Sequence, residues 1–279
     1  MNFVGLRVLL TGASGGIGTA LLMQLVAAGA SVAVPTRRAQ ELRDRVAKWG
    51  IDADRVYVLG GDLADSTFRN RLPTAMLTWK GGLDVLINNA GISDFGLLAS
   101  QSGEDIAGAL ATNLLAPMDL CRLLLPLLQD SPAGRIVNVG SVYGAIGYPG
   151  QAIYSASKFG LRGFSEALRR ELADTHIGVV YVAPRATRTR LNSPAVDQLN
   201  EALGNAVDDP GLVAAQILRR LADGVHSSVL GWPEKLFVRI NALLPGVVDA
   251  AIRSKLAVIK SQAAGARAAP RKTPLRSVS

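Results

Sequence analysis

Short apolar runs recur along the chain at Leu6 to Leu10, Ser31 to Val34, Arg55 to Leu59, Leu83 to Ile87, Arg135 to Val139, Ile177 to Val182 and Ser228 to Leu230, and each predicts a strand. Between them lie amphipathic stretches of helical period. Strands alternating with helices in this way require right-handed crossovers and a parallel sheet covered on both faces, so the pattern predicts an α/β fold, doubly wound, with seven parallel strands. The segment Ser102 to Gln129 keeps a helical period, with Pro117 and Pro126 placed to bend or divide it. Asp209 followed by Pro210 reads as an N-cap and first helical residue, opening a helix that ends near Gly224. Arg188 to Val207 is polar and weakly patterned and reads as a mobile lid after the sixth strand.

A further helical stripe runs from Lys235 to Lys260 through Leu236, Ile240, Leu243, Leu244, Val247, Ala251, Leu256 and Ile259, interrupted at Pro245-Gly246. Its first half reads as a packing helix. After Pro245 two readings stand side by side: packing on the domain or a dimer mate, or an anchor lying on anionic lipid. The division expected is a catalytic domain over 1–231, an amphipathic extension over 232–262 and a basic disordered tail over 263–279, rich in Ala, Arg and Pro.

Composition narrows the chemistry. The 279 residues are 49% hydrophobic and 19% charged, which excludes general disorder and suits a sheet buried on both faces. Of the net charge of +8, seven come from Arg253, Lys255, Lys260, Arg267, Arg271, Lys272 and Arg276, with no acid after Ala251, so the body is nearly neutral. Nucleic acid is not an expected partner, because no basic stripe interleaved with aromatics accompanies the tail. The single cysteine, Cys121, sits in an apolar stretch and reads as a buried helix residue, while His176 and His226 read as surface or loop histidines. Neither a disulfide nor a metal site is expected. With a glycine turn already at Gly12, no signal peptide is expected, and the catalytic domain is placed in the cytoplasm, with peripheral contact at the inner face of a membrane left open.

The first strand runs directly into Thr11-Gly12-Ala13-Ser14-Gly15-Gly16-Ile17-Gly18 and then a helix. Small residues admit a pyrophosphate to the backbone, and the helix N-terminus turns free N–H groups toward it, as in a Rossmann-type dinucleotide site. The same turn can also serve only to pack a tight strand-helix junction. After the second strand stands Val34-Pro35-Thr36-Arg37-Arg38, with no carboxylate to bond the adenosine ribose. Arg37 and Arg38 suit a 2′-phosphate and point to NADP(H); as a bare pair they also read as a solvated helix start. Asp62-Leu63 after the third strand and Asn88-Asn89-Ala90-Gly91 after the fourth lie at the carboxyl edge of the sheet, Asp62 suited to the adenine and Asn88 to tying neighbouring strands. The fifth strand delivers Ser141, and Tyr154 and Lys158 are four apart at the start of the next helix, on one face. An ammonium beneath a phenol stabilises the phenolate of a group that otherwise titrates near pH 10.

In order and approximate spacing, Thr11 to Gly18, Asp62, Asn88 to Gly91, Asn113, Ser141 and Tyr154 to Lys158 resemble the signatures of the short-chain dehydrogenase/reductase family, over Leu6 to about Gly231. The resemblance implies Tyr154 as general acid or base, Lys158 as the residue that lowers its pKa and holds the nicotinamide ribose, Ser141 as the orienter of the substrate oxygen, and Asn113 as holder of a relay water. It implies cofactor contacts at Thr11, Gly12, Ser14, Gly16, Ile17, Gly18, Arg37, Arg38, Asp62, Leu63, Asn89, Ala90, Gly91, Tyr154, Lys158, and Thr187 or Thr189. One departure is Pro184-Arg185-Ala186-Thr187-Arg188-Thr189, where Arg185 replaces the family's glycine. Thr189 matches the nicotinamide-amide contact by spacing, and an altered backbone would pass that task to Thr187. The expected activity is hydride transfer between NADP(H) and a small-molecule carbonyl or secondary alcohol, on an apolar or acyl-type substrate, in a homo-oligomer. The rival from another class is a cofactor-binding regulatory or scaffolding protein without turnover.

Overall fold

The computed structural model describes residues 1–189 and 191–268, apart from the side chains of the last two. Its strands and helices follow in the order β1 (Arg7–Leu10), α1 (Gly16–Ala27), β2 (Ser31–Thr36), α2 (Ala39–Lys48), β3 (Val56–Gly60), α3 (Ser66–Lys80), β4 (Val85–Asn88) and α4 (Gly103–Leu110). Then come α5 (Ala116–Gln129), β5 (Arg135–Val139), α6 (Ala152–Glu171), β6 (Gly178–Ala183), α7 (Pro194–Ala202), α8 (Pro210–Ala222), β7 (Ser227–Val229), α9 (Glu234–Leu243) and α10 (Pro245–Ala268). The seven strands form one sheet in the order β3-β2-β1-β4-β5-β6-β7, every neighbouring pair parallel. Strand order reverses between β1 and β4, which opens a crevice at the carboxyl ends of those strands.

Alternation along the strands feeds two cores. Val8, Leu10, Val32 and Val34 turn to the face covered by α1, α2 and α8, while Leu9, Ala33 and Leu86 turn to the face covered by α3, α5 and α6. Side chains of both faces are apolar because neither meets water. The run Gly103–Gln129 is long and apolar enough to cross a membrane by length and composition alone. It buries Asn113, Leu120, Leu124 and Leu128, as a core helix does.

That run is divided where the prolines suggested, with a specific geometry. Pro117 has no N–H to offer the carbonyl of Asn113, and the helix widens into one π turn over Ala111–Leu115. Pro126 stays inside α5. Asp209 caps α8, its Oδ1 accepting from the Gly211 and Leu212 amides at 2.7 and 3.3 Å. His176 and His226 are exposed, and Cys121 is buried in α5.

Three expectations are corrected. The segment read as a mobile lid contains α7, capped by Ser193 and begun by Pro194, and Ala195 and Leu199 bury themselves against Ile259 and Ala263 of α10. The stripe after Pro245 is shifted in its first turns only: Val248 and Ile252 face the protein where Val247 and Ala251 were expected to, while Ile259 is buried as expected, with Ala263 beyond it. Helix also continues through Ala268, where disorder was expected from 263 onward; residues 269–279 of the expected tail lie outside the described residues.

Candidate active site

The glycine turn is set by backbone fit. Gly12 adopts φ +73°, and a Cβ there would meet the Ala90 Cα at 2.7 Å. A Cβ on Gly18 would meet the Gly12 carbonyl oxygen at 2.0 Å, so the helix can begin directly under the turn only with glycine. Thr11 Oγ1 accepts from the amides of Asn89 and Ala90 at 3.0 and 2.9 Å, and Asn89 Nδ2 donates to the Thr11 carbonyl at 3.0 Å. These bonds tie the end of β1 to the end of β4. Asn88 links the next pair, its Nδ2 donating to Asn138 Oδ1 at 2.9 Å. Ile17 packs on the core, and the Ser14 carbonyl accepts from Arg45 at 3.4 Å.

At the end of β2, Arg37 and Arg38 reach solvent, with Arg37 3.8 Å from Asp62 and Arg38 3.3 Å from Glu41. Asp62 Oδ1 also accepts from the Ala64 amide, while Leu63 turns into the core and its carbonyl accepts from Arg69. Arg37 and Asp62 therefore share the rim of the crevice, and no carboxylate stands on β2 itself.

The π turn presents Asn113 from a fully buried position. Its Oδ1 accepts from the Ile92 amide and its Nδ2 donates to the Ile92 carbonyl, both at 2.8 Å. Nδ2 also donates to Ser157 Oγ, which donates to the Tyr154 carbonyl at 2.7 Å. Ser141 caps the short turn after β5, accepting from the Tyr143 amide, and its side chain bonds the Tyr154 hydroxyl. Burial pushes the Tyr154 phenol up, and the Ser141 bond partly offsets it. Lys158 Nζ donates to the Val139 carbonyl at 2.9 Å and sits 5.8 Å from the Tyr154 ring centroid. Burial lowers its pKa to about 8 through the loss of water around the ammonium. A Cβ on Gly91 would lie 3.4 Å from Asn113 Oδ1 and 3.7 Å from Lys158 Nζ, so Gly91 leaves the space between them open.

After β6 the two threonines separate. Thr187 is buried and donates its hydroxyl to the Arg185 carbonyl at 3.0 Å. Thr189 lies over the glycine turn, its methyl 2.8 Å from where a Gly16 Cβ would stand. Arg185 turns away from the crevice: it grips Asp208 with two bonds of 3.0 and 2.7 Å, and its Nη1 donates to the Trp232 carbonyl at 2.8 Å and to Glu234 at 3.2 Å. Gly231 leaves room for it, since a Cβ there would lie 2.7 Å from Arg185 Cδ.

Further residues shape the site without having been read in the sequence. Arg45 of α2 reaches over the glycine turn, Ser157 carries Asn113 to the Tyr154 backbone, and Asp208 and Glu234 hold Arg185. Tyr143 completes an aromatic wall, stacked on Tyr148 at 5.0 Å and edge-on to Tyr154 at 6.4 Å. Only Ser157 had a local signal, one residue before Lys158. The others are set by which distant elements meet.

The family model described as short chain dehydrogenase matches residues 7–200. The chain belongs to the short-chain dehydrogenase family. It is therefore built as an oxidoreductase of a family that binds a nicotinamide cofactor. Among its relatives, Nodulation protein G of Rhizobium sp. (strain N33) is 37% identical over 206 residues, covering 74% of this chain and 83% of the relative. The ketoacyl reductase HetN of Nostoc sp. is 34% identical over 242 residues, 87% of this chain and 81% of the relative. In fold, this short-chain dehydrogenase is similar to a solved family member from Burkholderia phymatum in complex with NAD, with TM-score 0.80 at 22% identity, covering 88% of this chain and 96% of that one.

Proposed function

We propose that this chain is an NADP(H)-dependent short-chain dehydrogenase that reduces a carbonyl on an apolar or acyl-type substrate, and that the same groups run in reverse on a secondary alcohol. The observation that carries this reading is the cluster of half-buried Ser141 and Tyr154 with buried Lys158, 5.8 Å from the Tyr154 ring, and buried Asn113, which is tied through Ser157 to the Tyr154 backbone. Holding an ammonium at 3% exposure disfavours the charged form, a cost that a phenolate forming beside it would offset. When bound, the cofactor supplies the hydride. Ser141 and Tyr154 hold the substrate oxygen, and Tyr154, kept protonated by burial, gives it a proton as charge develops there. Lys158 steadies the resulting phenolate, and Asn113 borders the space through which a relay water reaches Lys158.

The cofactor fits the residues present, since a Cβ at Gly12, Gly16 or Gly18 would crowd the turn, which is open to a pyrophosphate only as glycine, with Thr189 over it. Arg37, with Arg38 beside it, takes a 2′-phosphate, and the absence of a β2 carboxylate removes the group that would favour NAD. Tyr143, Tyr148 and Phe95 give the substrate side an aromatic lining that suits an apolar ketone, as does kinship with a ketoacyl reductase. In this reading residues 1–231 are the catalytic unit of a cytoplasmic enzyme and the helices after them an extension packed on it. Exposed Leu110, Leu115, Met118 and Phe159 on α4, α5, α6 and the π turn suit a homo-oligomeric contact.

Following NADPH absorbance over a panel of ketones and acyl thioesters tests the activity. Turnover with an apolar ketone is expected, and binding of NADPH without oxidation by any carbonyl would favour a scaffolding role instead. Arg37→Ala is expected to weaken NADPH binding by about 1.5–3 kcal/mol and NADH binding little, measured by fluorescence titration. An equal loss for both cofactors would show that Arg37 does not read the phosphate.

A further inference from the structure

The C-terminal helices carry two faces of opposite use. Inward, Val238, Ile240, Val248 and Ile252 pack on Val142 and Ile146, and Arg185 fastens the start of α9 through Trp232 and Glu234. Outward, the corner where α9 turns into α10 is apolar and wet: Leu243 is 80% exposed, Leu244 61% and Val247 57%. Leu236, Arg239 and Leu243 follow one another at spacings of three and four on the outer face of α9, with Lys235 four residues before Arg239. From Lys235 to Ser279 nine lysines and arginines stand against one acid, Asp249.

We propose that this corner is a docking surface for an anionic lipid bilayer. Three physical points select that occupant. Leucines at the apex of a helix-helix corner are the first atoms to meet an approaching surface, and they lose water only if that surface has an apolar interior. The cations beside them meet anionic headgroups at the depth where such an interior begins. A second copy of this chain is the poorer occupant, because a two-fold contact would set the same basic face against itself. Arg185 holds the start of α9 and the inward apolar row holds both helices on the body, so the corner between them meets the surface as a fixed element. The same α10 walls a cleft of about 490 Å³ with Ile252 and Leu256, opposite Tyr148 and Pro149 and against Ser155, the residue next to Tyr154. A docked molecule thus has a cleft, mostly apolar with Asp249 and Arg253 in its lining, backed by the helix that touches lipid. Docking does not depend on the reductase reading.

The test is sedimentation of the full chain with vesicles of phosphatidylglycerol and phosphatidylcholine mixed, and of phosphatidylcholine alone, at low and high salt. The chain is expected to sediment with the anionic vesicles at low salt, to be partly released by high salt, and to bind the neutral vesicles at least tenfold more weakly. Leu243→Ser with Leu244→Ser and Val247→Ser is expected to lower anionic-vesicle binding at least tenfold. Its circular dichroism should match the parent's, because those side chains are exposed. A parent chain that stays in the supernatant with anionic vesicles overturns the proposal, as does a triple variant that binds like the parent. If the triple variant instead turns a dimer into a monomer by light scattering, with vesicle binding unchanged, the corner is a contact between copies and the proposal fails.

Discussion

At one end of the crevice, Thr11 to Gly18 fixes its shape within a few residues: a left-handed glycine, a helix started under a carbonyl and a threonine hydroxyl shared by two amides. At the other end, Pro184 to Asp208 depends on remote partners: one guanidinium reaches partners 23, 47 and 49 residues further on, and α7 packs on α10. Rigidity in the first region comes from the absence of side chains, and in the second from a long side chain in ion pairs. A crevice with one local wall and one remote wall keeps the geometry of the first when the chain downstream varies, while the second follows whatever the C-terminal helices bring.

The sharpest test of the comparison removes chemistry and leaves both walls. Tyr154→Phe is expected to cut turnover on the order of 10² to 10⁴-fold with cofactor affinity almost intact, measured by initial rates beside NADPH titration. Equal turnover in parent and variant would remove Tyr154 from the chemistry.

Second in size is Lys158→Met. In the folded chain burial holds this ammonium near 8 against an ordinary 10.5. Below pH 8 it is charged in both states and burial costs the folded chain about 3 kcal/mol, at about 1.4 kcal/mol per pH unit. Between pH 8 and 10.5 the folded chain gives up the proton first, so the cost fades as pH rises. Lys158→Met, which also loses the bond to Val139, is expected to gain stability at pH 7 and not at pH 10 while losing turnover. Urea denaturation at the two pH values checks this, and an equal difference at both would reject it.

The smallest effect separates the two walls. Arg185→Ala leaves Asp208 and Glu234 without their cation, and about 1.5–3 kcal/mol of stability is expected to go with it. Thermal unfolding and proteolysis between 189 and 208 measure it, and KM for the carbonyl is expected to rise while NADPH affinity holds. A parallel loss of NADPH affinity would show that the two walls are not separate.

Legibility follows the same division. Strand positions were readable because apolar runs with turn signals between them suffice for a sheet buried on both faces, and β7 at Ser227–Val229 sits one residue from its expected place. The polar residues of the first wall were readable because turn, strand end and helix start lie in adjacent sequence. Helix α7 was missed although Ser193-Pro194 is a cap and first-turn pair, because its buried residues Ala195 and Leu199 are too few to show a period without α10 opposite. For α10 only the first turns of the stripe were taken one residue off, Ile259 being buried as read, since Val247 and Val248 are equally apolar and only the body beneath decides which is covered. Arg185 was visible as a departure, but its partners were not, because pairing at such separation leaves no local mark.

The reach of Arg185 also bears on how the molecule is made. The ribosome delivers β1 to β6, with the glycine turn, Ser141, Tyr154 and Lys158, before Glu234 has emerged, and chains fold N-terminal parts first during synthesis. The strap from Arg185 to Trp232 and Glu234 can close only after those residues leave the exit tunnel. Until then the nascent chain holds the glycine turn, Ser141, Tyr154 and Lys158 with the segment after β6 unfastened on one side, so under the proposed function commitment to turnover comes late in synthesis.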